Sequence, residues 1–401
     1  FDEHPDWFGM RDGERVKTTT TTTPEIPHLE PELPVNPCYS NADALEFITD
    51  RMAAYIADNP EIDILSVWPH DGVNNWCHCP ECLEKTPAEH MYTLAKVLED
   101  KIPDRVMMEM IVYSNLLKPP YGDLPDNPQT FTMMCPYLRM FHHRIYEDGG
   151  PEEPITGQQY PEPARINPVD EREYCKIFSG WKERWDECRS VPAVFEYVGL
   201  FYDETRRIDN RYLYHPPSQI RADELQWYVD RDVQIYYLCG GGPIWPDAFH
   251  QHAISRLLWD PRVPVEELER EYYTALAGEE GMELRAAMKP LADKLRLTAE
   301  FPEAELKTVK DMLSELPGNP WSRQYEIWVQ YVELARRVRV HEVAEEYEEA
   351  RRIEEDVQEF LREHKEEISR YVPDRLENYS EINQRRLQAW MTGETAREYT
   401  M

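Results

Sequence analysis

Between Val67 and Cys82 the chain reads Val-Trp-Pro-His-Asp-Gly-Val-Asn-Asn-Trp-Cys-His-Cys-Pro-Glu-Cys. This stretch holds an acid (Asp71), an imidazole (His70), two amides (Asn74, Asn75), two indoles (Trp68, Trp76) and three thiols. Cys77, Cys79 and Cys82 are near enough in sequence for their sulfurs to share a metal ion, and awkwardly spaced for local disulfides. Cys38, ahead of the helix that leads into the same strand, is the natural fourth ligand. Four thiolates would make a closed, structural zinc site, because no coordination position is left for water. A disulfide plus two free thiols is the alternative. His78 could replace a thiol, though a histidine inside such a knuckle more often faces solvent.

A second set of residues sits at or just after the ends of apolar runs. Asp71 follows the first run and Glu196 ends the fourth. Trp68, His70, Tyr113, Asn115, Tyr137, Arg139, His142, His143, Tyr197, Tyr202 and Trp245 occupy similar positions. There, aromatic rings could stack on sugar faces, and polar groups could bind hydroxyls or a uronate. Arg139 with the histidine pair would suit an acidic sugar. Any one of these residues is, taken singly, more often a packing residue than a ligand contact. Gly240-Gly-Gly242 resembles a phosphate cradle only superficially, because no Lys-Ser/Thr follows it; a tight turn is the better reading.

Those positions depend on an alternation of strands and helices. Apolar runs at Ile62–Val67, Val106–Tyr113, Phe131–Tyr137, Ala193–Val198 and Val233–Cys239 read as strands. Helices are expected from about Ser40 and near 88–101, 170–188 and 218–230. The connection from Asn115 to Thr130, with four prolines, is too broken for a helix. Nearly all-apolar strands separated by helices predict a parallel sheet covered on both faces. Long loops at about 69–87, 138–169 and 199–217 follow strand carboxyl ends, the usual construction of a substrate cleft.

Three regions are therefore expected: an extended lead-in over 1–40, a (β/α) barrel portion over 41–261 and a helical domain over 262–401. The lead-in carries a Thr18–Thr23 run and a proline-rich passage. After Pro261 the composition turns to Glu, Arg, Ala and Leu at helical spacing. Pro290, Pro302, Pro317 and Pro320 are expected to break it, with one long acidic helix from about Trp321 to Tyr371. Its charge runs read as a solvated face.

Composition narrows the partners. The chain has 401 residues, and 77 Asp plus Glu against 44 Lys plus Arg give a formal charge of −33. That charge opposes broad contact with nucleic acid or an anionic membrane, and no apolar run approaches the roughly 18 residues of a membrane span. Eight cysteines in a chain of this size do not make a disulfide scaffold. The chain begins at Phe1 and shows no charged-then-apolar leader, so any signal peptide is expected upstream or removed.

Several separated motifs occur in order: Glu-His-Pro-Asp-Trp-Phe at the start, Cys38-Tyr-Ser-Asn, Trp68-Pro-His-Asp-Gly with Cys-x-Cys-x-x-Cys, Phe195-Glu-Tyr, and Ser255-Arg-Leu-Leu-Trp-Asp-Pro. Over roughly residues 2–290 the chain resembles a large bacterial family of glycosidase-like proteins with a domain of unknown function. That family is similar to α-glucuronidases and β-hexosaminidases built on (β/α)₈ barrels. The resemblance implies a carbohydrate substrate and an extracytoplasmic or secreted setting, and it places Cys38 beside the other three thiols. It also implies that Asp71 and Glu196 end barrel strands four and seven, where many barrel glycosidases carry the acid/base and the nucleophile. His70-Asp71-Gly72 departs from the Asn-Glu or Asp-Glu common at strand four. In the family the His-Pro-(Glu/Asp)-Trp-Phe segment follows the first barrel strands, so either the first strands lie in a missing amino-terminal part or another subunit, or the barrel is reduced.

Three function classes follow. The first is a glycoside hydrolase with a carboxylate pair, which needs two carboxyl groups about 5 Å or about 6.5–9.5 Å apart. The second is a non-catalytic glycan-binding protein on the same barrel. The third is a zinc-dependent hydrolase using the thiol cluster with an open position.

Overall fold

The computed structural model describes residues 1–20, 32–70, 75–113, 116–117, 119–120, 130–136, 144–145, 171–188, 190–197, 218–239, 245–298, 300–316, 320–368, 380, 384, 387–388 and 391. Contacts divide the chain into two compact units: residues 1–139, 145–197 and 228–239 in the first, and 140–144, 198–227 and 240–401 in the second. The helical unit thus takes in residues from 240 onward, ahead of the composition change at 262.

The first unit opens on two short antiparallel ribbons. Strands β1 (Met10–Arg11) and β2 (Glu14–Arg15) form one, and β3 (Thr18–Thr20) and β4 (Glu32–Pro34) the other. Asp12 and Gly13, both at positive φ, make the turn of the first. Helix α1 (Ala42–Asp58) follows, started by the Asn41 side chain accepting from the Ala44 N–H at 2.9 Å. Strand β5 (Ile64–Val67), the short α2 (Pro80–Leu83) and α3 (Pro87–Glu99) come next, then β6 (Met107–Val112), β7 (Thr130–Met134), α4 (Glu171–Cys188), β8 (Val191–Tyr197) and β9 (Ile235–Cys239); α5 (Ser218–Val229) precedes β9 and only its last two residues belong to this unit.

Strands β5 to β9 form one curled parallel sheet, a half-barrel in which sequence order is also spatial order. Its registers align Ser66 with Glu109, Glu109 with Phe131, Phe131 with Val191, and Phe195 with Tyr237. Aligned residues of a parallel sheet project to the same face, so these registers sort every side chain. One face carries Thr132, Val194, Glu196 and Tyr236 and is covered by helices. Tyr92 of α3 meets Thr132 at 2.9 Å, and Tyr228 at the end of α5 packs on Tyr236. Tyr174, Phe178, Trp181 and Trp185 of α4, spaced four, three and four apart, are all buried and form the apolar stripe of that helix. The other face carries Ile64, Ser66, Trp68, Met107, Glu109, Phe131, Met133, Ala193, Phe195, Ile235 and Tyr237. Its middle is buried, but Ile64, Trp68 and Tyr237 are each close to half exposed. The expectation of a sheet covered on both faces therefore holds for one face only among the described residues. The outer face, polar residues included, meets helices: Thr132 bonds Tyr92 and Glu196 bonds Tyr228, while the inner face keeps Ile64, Ser66, Trp68 and Tyr237 exposed among the described residues.

Helix α3 owes its start to a reciprocal cap. The Thr86 hydroxyl accepts from the Glu89 N–H at 3.2 Å, and the Glu89 carboxylate accepts from the Thr86 N–H at 2.7 Å, with Pro87 at the first helical position. Thr86→Ala is expected to cost about 1 kcal/mol, read as a lower urea midpoint of the intact chain; an unchanged midpoint would mean that water replaces the cap.

The second unit holds α6 (Phe249–Trp259), α7 (Val265–Leu297), α8 (Glu303–Glu315), α9 (Pro320–Val343), α10 (Tyr347–Glu363) and α11 (Lys365–Ile368). Its core gathers Leu284, Leu291, Val309, Tyr325, Trp328, Val332 and Ile353. Two expectations are corrected here. Pro290 lies inside α7 and does not end it; the interruption falls at Ala277–Gly278, where Gly278 has φ 63°. The acidic helix expected from Trp321 to Tyr371 is broken at Ala344–Glu346. Glu345 adopts φ 61°, its N–H donates to the Glu342 carbonyl at 3.1 Å, and the Glu346 N–H donates to the His341 carbonyl at 2.9 Å. That is the Schellman pattern, usually closed by glycine. Among the described residues no helix is long and apolar enough to cross a membrane.

Candidate functional site

The inner face of the half-barrel concentrates groups suited to a sugar. Glu109 of β6 is buried, yet its carboxylate is fully engaged on one side: Oε2 accepts from the Ser66 hydroxyl and Oε1 from the Trp68 indole N–H, each at 3.0 Å. The Trp68 ring stands edge-on to Phe195 with centroids 6.0 Å apart, and Phe195 lies parallel to Tyr237, also at 6.0 Å. Three aromatic rings from β8, β9 and the residue following β5 thus form a strip beside one carboxylate, with Trp68 and Tyr237 open to solvent. Rings present apolar faces that match the C–H face of a pyranose, while carboxylates accept from its hydroxyls.

The loop that leaves β5 is held at both of its described ends by one residue. Asn36, fully buried, accepts from the His70 N–H at 2.9 Å through its side-chain oxygen and donates to the Asn75 side chain at 3.2 Å. Asn75 donates back to the His70 carbonyl at 3.0 Å, and the Asn36 N–H bonds the Asn75 carbonyl at 2.7 Å. Burial lowers the His70 pKa from its ordinary value, which favours the neutral ring. Asp71 and Asn74 lie outside the described residues, as do Asn115, Tyr137, Arg139, His142, His143 and Tyr202.

The four cysteines meet where this loop ends. Cys38, Cys77, Cys79 and Cys82 are all buried, and their sulfurs lie within 4.8 Å of one another. Cys38 Sγ is 3.7 Å from Cys79 Sγ and 3.8 Å from Cys82 Sγ. Hydrogen bonds with Cys77 and Cys82 hold the Cys38 thiol well below its ordinary range, while burial pushes Cys79 up to about 11.

The family description Domain of unknown function (DUF4838) matches residues 1–286, more than two thirds of the chain. The chain belongs to the DUF4838 family. No curated protein matches it. Among solved structures, it is similar to a mutant of an O-GlcNAc hydrolase from Thermobaculum terrenum, at 12% identity and a TM-score of 0.35, over 91% of this chain and 81% of that one.

In this DUF4838 chain the residues singled out by sequence are dispersed. Trp68 lies on the inner face. His70 and Tyr113 are described and only partly enclosed, Tyr113 accepting through its carbonyl from the Leu116 N–H at 2.9 Å. Tyr197 ends β8 in register with Cys239. Glu196 requires a correction: it is fully buried on the helix-covered face, where Oε1 accepts from the Tyr228 hydroxyl at 2.8 Å. Phe195 alternates with it, so the sheet turns Glu196 away from the aromatic strip. Trp245 also departs from its expected role as a cleft wall. It is 1% exposed in the helical core, with its indole N–H on Gln324 at 3.1 Å and its ring 5.7 Å from Tyr331. Glu109, Phe195, Tyr237 and Asn36 escaped the sequence reading. Glu109 left one signal, a lone acid inside the apolar run Met107–Val112.

Proposed function

We propose that this DUF4838 protein is a glycosidase-like protein, its five strands belonging to a (β/α)₈-type barrel, which takes a poly- or oligosaccharide on the inner face and carboxyl-end loops of its half-barrel. The observation that carries the reading is the strip Trp68–Phe195–Tyr237 beside Glu109. A sugar ring stacked on Trp68 or Tyr237 would bury apolar surface on both partners. Glu109 fixes the indole so that little side-chain freedom is lost on binding. Asp71, on the loop braced by Asn36, supplies the acid for bond cleavage in this reading. The strong negative charge of the chain argues for a neutral or basic glycan over a polyanionic one.

A glycan array followed by calorimetry on the best ligand tests the binding step. Trp68→Ala and Tyr237→Ala are each expected to weaken that ligand by about tenfold, from loss of stacking and buried area. Glu109→Ala is expected to weaken it similarly by freeing the Trp68 indole. Wild-type affinity in both aromatic variants would rule out the inner face as the sugar site. The non-catalytic glycan-binding alternative draws on one observation, the orientation of Glu196, which leaves Asp71 as the remaining member of the carboxylate pair picked from sequence.

A further inference from the structure

We propose that Cys38, Cys77, Cys79 and Cys82 bind a single zinc ion as a closed four-thiolate centre, whose role is to tie the loop after β5 to the amino-terminal segment. The proposal is independent of any sugar chemistry. Four sulfurs at about 2.3 Å from a central zinc ion define a tetrahedron with edges of about 3.8 Å. The 3.7 Å and 3.8 Å separations of Cys38 from Cys79 and Cys82 match that edge, and all four sulfurs fall within 4.8 Å. A disulfide would need a separation of about 2.0 Å. The cluster is therefore arranged around a shared centre and not paired off. Two ligands come from an extended turn, Cys77 and Cys79, and the third from the single-turn α2, whose first residue Pro80 follows Cys79 directly.

The surroundings suit the charge such a centre would carry. Zinc binding displaces one proton from each thiol, and four thiolates around one divalent ion leave a net charge of −2. The Met10 N–H points at Cys77 Sγ from 3.3 Å, the Cys79 N–H from 3.5 Å, and the Arg15 guanidinium also from 3.5 Å. Ser40 Oγ is 3.3 Å from Cys82 Sγ, in position to donate once that sulfur is ionised. Donors to the sulfurs and a nearby cation are the usual outer support of a thiolate centre. They come from β1, β2 and the turn ahead of α1, so one ion would join segments that are far apart in sequence. The His78 N–H already bonds the Met10 carbonyl at 2.8 Å, and a Cβ on Gly9 would stand 2.2 Å from Val35 and 3.5 Å from Cys77. The amino-terminal ribbon thus lies directly against the knuckle. With all four positions filled by sulfur, no site is left for water or substrate, which separates this centre from a zinc-dependent hydrolase.

The test is metal analysis of the full chain purified without added metal, combined with non-reducing peptide mapping. One equivalent of zinc per chain is expected, with the four thiols unmodified and protected from a thiol reagent until the chain is unfolded. Cobalt added to chain refolded from chelator should give the absorption bands of tetrahedral thiolate coordination, and Cys79→Ser should lose both those bands and the zinc. If Cys79→Ser does not fold, the cobalt titration of wild-type chain still decides. One equivalent of iron in place of zinc, or a disulfide joining any two of the four cysteines together with substoichiometric metal, would overturn the proposal. Removal of the ion should lower the thermal midpoint of the chain; a metal-dependent hydrolytic activity would overturn the closed-site assignment.

Discussion

Asp71→Asn should lower turnover by about three orders of magnitude on any glycoside the protein cleaves, the size expected when a positioned acid or base is lost. The substitution keeps the shape of the side chain and one acceptor oxygen, turns the other into a donating NH2, and removes the charge and the ability to exchange a proton; being isosteric, it should preserve the fold. Glu196→Gln serves as the contrast. Its carboxylate lies on the helix-covered face and accepts from Tyr228 at 2.8 Å, so the change is expected to alter stability and leave turnover within about threefold of wild type. The measurement is kcat for both variants on a panel of para-nitrophenyl glycosides and on the glycan that binds best. A large loss in Glu196→Gln with none in Asp71→Asn would reverse the assignment. Binding without cleavage in the wild-type protein would favour the non-catalytic reading.

Arg336→Met should destabilise the helical unit by about 3 kcal/mol, the cost of leaving buried acceptors without their charged donor. Arg336 on α9 is 2% exposed. Its Nη2 donates to the carbonyls of Lys294 at 3.0 Å, Leu295 at 3.1 Å and Thr298, groups at the end of α7 where intrahelical donors run out. A cation at a helix carboxyl terminus also meets the negative end of its dipole. Methionine retains much of the volume, so the change isolates the loss of donors from the opening of a cavity. Urea unfolding followed by far-ultraviolet circular dichroism gives the readout, and a loss under about 1 kcal/mol would show that water reaches these carbonyls readily.

The sequence by itself determined the parallel sheet and most of its elements. All five apolar runs appear as strands, because a strand buried in a parallel sheet must be apolar along most of its length. It also determined which thiols could meet: three fall within six residues, and the fourth precedes the helix that returns to the same strand. The helix break at Ala344–Glu346 was not legible, since Glu345 takes the left-handed conformation without a glycine or proline to announce it. Pro290 pointed to a break that is absent, because neighbouring packing in α7 outweighs one lost hydrogen bond.

Tertiary structure alone decided which side chains share a face. Phe195 and Glu196 are adjacent in β8, and adjacent residues of a strand project oppositely; only the helices laid on one side of the sheet reveal which of them is covered. Glu109 and Trp68 are 41 positions apart and touch solely because β5 and β6 lie in a register that aligns Ser66 with Glu109. Trp245 follows a strand in sequence yet is enclosed in the helical core, where the unit had an apolar site and an amide acceptor for its indole. Local pattern governs which segments become strands and helices through period and propensity. The choice of face and of long-range partner is made by packing between segments, and that information is spread over residues distant in sequence.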